Sequence, residues 1–217
     1  NVSLGAIKND LILEKIGEEI GQQFNRLGIH MNFAPVVDIN TNPKNPIIGN
    51  RSYGENKINV SKKGISFTKG IQSKNILATA KHFPGHGDTS KDSHLTLPTI
   101  DFSKKRINEV ELYPYKQLIK NGLSAIMVAH LNVPSLEKEK MLPSTLSKNI
   151  IEKILIKKLK FKGLIITDAL EMKGVSNFTK KNVDLLAFLA GNDILLMSSD
   201  ISKGIKSIKK AYKKGTI

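Results

Sequence analysis

The chain has 217 residues, 40% hydrophobic and 24% charged, with no cysteine and a formal net charge of +15. That length and apolar share suffice for a sizeable core, whereas no stretch approaches the roughly 18 apolar residues of a membrane-spanning helix. Asn1 to Asn9 lack the charged start and apolar run of a secretory leader, and the missing cysteines exclude disulfides and thiolate chemistry. The lysines are scattered (Lys62-Lys63, Lys104-Lys105, Lys157-Lys158, Lys213-Lys214), which reads as a solvated surface rather than a nucleic-acid footprint.

In chain order, residues 11–27 have helical periodicity, with Ile16, Ile20 and Phe24 on one face. Residues 30–37 read as a strand ending at Asp38, residues 56–73 as a helix, and residues 76–80 as a short buried strand. That strand opens at Lys81-His82 into a polar run, Phe83-Pro84-Gly85-His86-Gly87-Asp88-Thr89-Ser90-Lys91-Asp92-Ser93-His94. Its proline and glycines break any regular element, and Gly85 and Gly87 allow unusual backbone angles. A helix over 103–121 follows, then a strand over 124–129 ending at His130, and a helix over 147–159 with Ser147 as its cap. A strand over 164–167 ends at Asp168; a helix over 183–189, a strand over 193–197 and a helix over 201–213 complete the series.

The chain is therefore α/β, with five apolar strands alternating with helices, as expected of parallel strands buried on both faces. A closed barrel and an open doubly wound sheet both satisfy this alternation. No Gly-rich phosphate fingerprint follows a strand, which weakens the nucleotide-binding version of the open sheet. Asp38, Lys81-His82, His130 and Asp168 each stand where a strand finishes. In a parallel barrel those ends converge on the face that carries the active site.

At Lys-His-Phe-Pro-Gly-His-Gly-Asp-Thr (81–89) with Asp-Ser-His (92–94), the chain resembles bacterial β-N-acetylglucosaminidases of glycoside hydrolase family 3. So do Ala-Pro-Val-Val-Asp (34–38), Ile-Gly-Asn-Arg-Ser-Tyr-Gly (48–54), Ile-Thr-Asp-Ala-Leu-Glu-Met (166–172) and Ala-Gly-Asn-Asp (190–193). The resemblance implies a (β/α)8 TIM-type barrel, present here as one incomplete domain over residues 1–217. The first strand, with a loop that supplies a sugar-binding Asp, and the last elements are expected to be missing from it. It implies a retaining glycosidase that removes terminal β-linked N-acetylglucosamine from glycans such as peptidoglycan-derived fragments. No cofactor, metal or nucleic acid is implied. The oligomeric state is open, and the wording at 131–134 and 171–174 leans toward envelope-directed members, with the cytoplasm as alternative.

Within that resemblance Asp168 corresponds to the nucleophile, a carboxylate that attacks the anomeric carbon. Its competing role is a cap on the following helix. His94 corresponds to an unusual general acid/base, and Asp92 can hold its imidazole by a hydrogen bond. Arg51, Lys81 and His82 correspond to sugar-binding residues, with Arg51 alternatively a structural ion-pair partner. His86 and Asp88 are expected to shape the loop, and His30 to be structural. Other readings stay open: a metal-dependent hydrolase using His82, His86, Asp88 and His94, a non-catalytic carbohydrate- or nucleic-acid-binding module, and a family 3 β-glucosidase or phosphorylase.

Overall fold

A computed structural model of the chain describes residues 1–89, 97–176, 178–179 and 182–217. Four strands, β1 (Met31–Asn32), β2 (Leu77–Phe83), β3 (Ala125–Val128) and β4 (Leu164–Thr167), form one all-parallel sheet in the order β1-β2-β3-β4. β2 and β3 each pair with the preceding strand on one side and the following strand on the other, while β1 pairs with β2 and β4 with β3. A doubly wound sheet reverses its strand order at a switch point, so this sequential order is that of a barrel arc.

Two of the expected strands are shorter than their apolar runs, and one is longer. Pro35 has no N–H to give the ladder, so after Met31–Asn32 the pairing resumes only as a Val36–Lys81 bridge. The stretch 193–197 makes one ladder bridge, Ile166–Ile194, rather than a strand: the Asp193 carboxylate takes the Ile165 N–H at 2.8 Å, and the carbonyls of Leu196 and Met197 accept from Leu170 and Glu171 beyond β4. Conversely, β2 runs on through Lys81, His82 and Phe83. The carbonyls of Lys81 and Phe83 accept the N–H groups of Val37 and Ala129, each at 2.9 Å, so ladder bonding outlasts the apolar pattern. The peptide bonds Ala34–Pro35, Lys81–His82 and Phe83–Pro84 are cis.

Helices cover the outside of the arc. α1 (Val2–Gly5) precedes α2 (Asp10–Arg26), which Asn9 caps by accepting the Leu11 N–H. α3 (Lys57–Gln72) is capped by Asn56, which accepts from Ile58 and Asn59. The helix expected over 103–121 is two helices, α4 (Lys104–Glu109) and α5 (Tyr113–Lys120). Pro114 cannot donate back to a preceding turn, but it is tolerated in the first turn of a new helix. A π-helix spans Asn149–Lys158, and Ser147 caps it as expected, accepting the Ile150 N–H at 3.1 Å. α6 (Lys173–Ser176), α7 (Val183–Ala190) and α8 (Ile201–Lys213) follow. The core lies between sheet and helices. Phe83 of β2 meets Tyr115 of α5 edge to face at 5.1 Å, among Leu13, Val60, Leu118, Ile126, Val128 and Ile150.

α2 and α3 approach until backbone touches backbone. A methyl at Gly70 would lie 2.0 Å from the Glu14 carbonyl oxygen, and one at Gly17 2.6 Å from that of Phe67. Ala normally stabilises a helix interior over Gly by about 1 kcal/mol, whereas overpacking costs about 1–3 kcal/mol. Gly70→Ala should therefore destabilise the fold, read as a lower midpoint in denaturant melts; a neutral or stabilising result would mean that α2 can move away without cost.

Candidate active site

The strand register sets the site. Val36 pairs with Lys81, Phe83 with Val128, and Val128 with Thr167, so the residues just beyond these pairs emerge at one level. Asp38, His82, His130 and Asp168 are thereby brought to the same end of the arc. The Asp168 N–H extends the ladder by one bond, donating to the Val128 carbonyl at 2.9 Å.

Asp38 is buried, with 1% of its surface exposed, and its carboxylate is the hub of the cluster. Oδ2 lies 2.7 Å from His82 Nδ1, Oδ1 accepts the His86 N–H at 2.7 Å, and the His82 N–H is 3.2 Å from both oxygens. Burial pushes the Asp38 carboxyl up, but the attraction and hydrogen bonds of His82 and His86 outweigh it and hold the group below its ordinary value. On the far side of the ring, Arg51 Nη2 lies 3.3 Å from His82 Nε2. A guanidinium only donates, so Nε2 is the acceptor and the proton sits on Nδ1, facing Asp38. Both ring nitrogens are thus engaged.

Asp168 is half-buried and open to the strand-end face. Among the described residues its Oδ1 accepts only the adjacent Ala169 N–H, at 2.9 Å, and the next helix starts at Lys173, so Asp168 is not a helix cap. Burial alone would raise its carboxyl. His82, His130, the Ala169 N–H and Lys81 outweigh that and hold it below the usual range. Burial and the neighbouring Arg51 pull the Lys81 ammonium down, while Asp168 and Asp38 oppose them.

His130 contacts the residue after Asp168 and lies close enough to act on its charge. Its Nε2 lies 2.9 Å from the Ala169 carbonyl, which can only accept, so Nε2 carries a proton; Nδ1 lies 2.7 Å from the Thr145 hydroxyl, whose single proton also faces the Ala129 carbonyl at 2.7 Å. Burial lowers its pKa against the pull of Asp168 and Ala169, so the ring is uncharged at neutral pH. An uncharged ring attracts Asp168 less than an imidazolium would, which leaves Lys81 and the Ala169 N–H as the steadier support.

His86, buried at 1% exposure, shapes the loop: its Nδ1 meets the Thr89 hydroxyl at 2.7 Å and its carbonyl accepts from Asn45 at 2.8 Å. Gly85 does need its backbone freedom, with φ +137°, but Gly87 is there for space, since a Cβ would lie 1.9 Å from the Ile39 carbonyl oxygen. Asp88 lies 4.0 Å from Arg106. Asp92 and His94 lie outside the described residues.

Arg51, Lys81, His82 and Asp168, which stand in the motifs that carry the resemblance, therefore lie together. Sequence reasoning put Asp38 and His130 on this face without a task, and it missed Ser52 and Thr145. Ser52 donates to the Asp38 carbonyl at 2.6 Å, and small hydroxyl residues in loops carry no periodic signal. A cavity of about 870 Å³ lies elsewhere, lined by Lys57, Tyr113, Lys116, Lys120 and Lys158 among others. Lys57 and Lys116 donate there to the Glu109 and Asn108 carbonyls that end α4, which accounts for their gathering.

The family model described as "Glycosyl hydrolase family 3 N terminal domain" matches residues 1–217. The chain belongs to glycosyl hydrolase family 3. It is 39% identical over 211 residues to beta-hexosaminidase A of Pseudoalteromonas piscicida, covering 91% of this chain and 35% of that protein. It is 38% identical over 178 residues to a beta-hexosaminidase of Glaesserella parasuis, covering 80% and 50% respectively. The solved family 3 beta-N-acetylglucosaminidase from Paenibacillus sp. str. FPU-7 superposes with a TM-score of 0.95 at 40% identity, over 100% of this chain and 42% of that one. The chain thus spans half or less of each of these relatives. Its sheet is part of the TIM-type barrel of this family's N-terminal domain.

Two of the buried histidines, His86 and His130, make the site acid-sensitive. Burial depresses His86 and His130 below the ordinary imidazole value of about 6.5. Between that value and their folded values the unfolded chain binds more protons, so stability falls as pH drops. Each contributes up to about 1.4 kcal/mol per pH unit in that window. The thermal midpoint of the complete protein should fall from pH 7 to pH 5, and His130→Gln should fall less steeply from a lower start. An equal slope in the variant would show that His130 does not titrate in this range.

Proposed function

We propose that residues 1–217 are part of the catalytic barrel of a retaining glycosidase that releases terminal β-linked N-acetylglucosamine. The carrying observation is Asp168, a half-buried carboxylate held ionised at a strand end beside Lys81 and the Arg51–His82 pair. The names of the relatives, beta-hexosaminidase and beta-N-acetylglucosaminidase, support the same substrate class. Peptidoglycan-derived fragments are the proposed source of the sugar, and the chemistry calls for no cofactor.

The reaction is a double displacement. Asp168 attacks the anomeric carbon while His94 protonates the departing glycosidic oxygen, leaving a glycosyl ester on Asp168. His94 then takes a proton from water, which attacks the same carbon and frees Asp168. Asp92 holds the His94 imidazole in the required tautomer and supports its imidazolium. Lys81, Arg51 and His82 bind ring hydroxyls and orient the sugar, adding binding energy that the transition state can use.

In the complete protein, Asp168→Ala should nearly abolish cleavage of aryl β-N-acetylglucosaminides while the protein stays folded. His94→Ala should slow substrates with poor leaving groups by about 10²–10⁴-fold and spare activated aryl glycosides, because only the former need protonation. A leaving-group series on wild type and variant reads this directly. An equal loss for every leaving group would make His94 a binding residue. Running the series with and without phosphate separates hydrolysis from phosphorolysis.

A further inference from the structure

Asp38 takes no step in that reaction, yet its carboxylate binds three groups of the site. It receives the His82 ring proton and the backbone N–H groups of His82 and His86, all in a buried setting. Its own carbonyl accepts from Ser52, the neighbour of Arg51. One residue therefore ties the Arg51 turn, the end of β2 and the His86 loop together.

We infer that Asp38 is a positioning residue for glycoside cleavage: it fixes His82 in the Nδ1–H tautomer, so that Nε2 faces Arg51 and the sugar as an acceptor. This role rests on reading the cluster as a glycosidase site. The argument is one of complementarity. An acceptor carboxylate 2.7 Å from Nδ1 selects the proton there, and Arg51 at 3.3 Å from Nε2 would oppose a proton on that side, donor against donor. A neutral imidazole has one donor and one acceptor, so fixing one end fixes the other. His82 consequently cannot donate to a sugar hydroxyl. It holds Arg51 by accepting its N–H, or it accepts from a hydroxyl, while Lys81 and Arg51 supply the donors.

Asp38→Asn isolates the effect because the shape is kept. The amide oxygen can keep the His86 and His82 backbone N–H groups, which turns the amide N–H toward His82 Nδ1. Nδ1 must then accept, the proton moves to Nε2, and Nε2–H confronts Arg51. The same swap behind a catalytic histidine yields the wrong tautomer in serine proteases.

The test uses the complete protein with ¹⁵N-labelled histidine. Wild type should show His82 protonated on Nδ1, and Asp38→Asn should show it protonated on Nε2, with kcat/KM lower by about tenfold or more. In a His82→Ala background Asp38→Asn should cost less than about twofold, because a residue acting through His82 has nothing left to act on. An equal loss in both backgrounds, with the tautomer unchanged, would reduce Asp38 to a structural tie. The wild-type spectrum decides even where the variant fails to fold: an active enzyme with Nε2–H overturns this role alone. An inactive wild type overturns the glycosidase reading and this role with it.

Discussion

A carboxylate taken out of water must find donors for its lone pairs, and the strand-end face of this domain is arranged around that requirement. Asp38 is delivered by the segment after β1, and the donors it finds come from β2 and the loop beyond it. Because two of them are backbone N–H groups, the path of the chain from Lys81 to His86 is set by the carboxylate as much as by the ladder. His82 then carries the constraint outward to Arg51. His82 and Arg51, the proposed sugar-binding groups, are thus held by a buried interaction, as preorganised sites require.

Charge balance at the site follows from the same economy of partners. Asp168 makes one hydrogen bond, to its neighbour's N–H, and leaves the rest of its carboxylate unengaged among described residues. A carboxylate tied into several strong hydrogen bonds would be a poor nucleophile. One kept ionised mainly by nearby attraction keeps its lone pairs available. Lys81 and Asp168 lie in each other's field, and each moves the other toward its charged form. Burial works against both, so removing either partner should be felt at the other.

Much of this was legible in the sequence because strand ends are where apolar runs stop. Asp38, Lys81-His82, His130 and Asp168 were placed on one face from that pattern alone, and the parallel register confirms their common level. The alternation of strand and helix did not separate barrel from open sheet, since both share it; the motif resemblance implied the barrel, and the sequential strand order agrees with it. Boundaries failed where a local rule overrode hydrophobicity. Pro35 interrupts the first pairing, Pro114 divides one expected helix into two, and Lys81-His82 stays in the ladder despite its polarity. The identity of the His82 partner was out of reach too, because a contact between residues 38 and 82 leaves no trace in either local pattern.

The central claim is that Asp168 forms the covalent bond to the sugar. Incubating the complete protein with a 2-fluoro glycosyl donor bearing a good leaving group should trap the glycosyl-enzyme, and peptide mapping by mass spectrometry locates the label. The account predicts one sugar on the peptide carrying Ile166-Thr167-Asp168, with fragmentation placing it at Asp168. A label on Glu171, with Asp168→Ala still active, would contradict it.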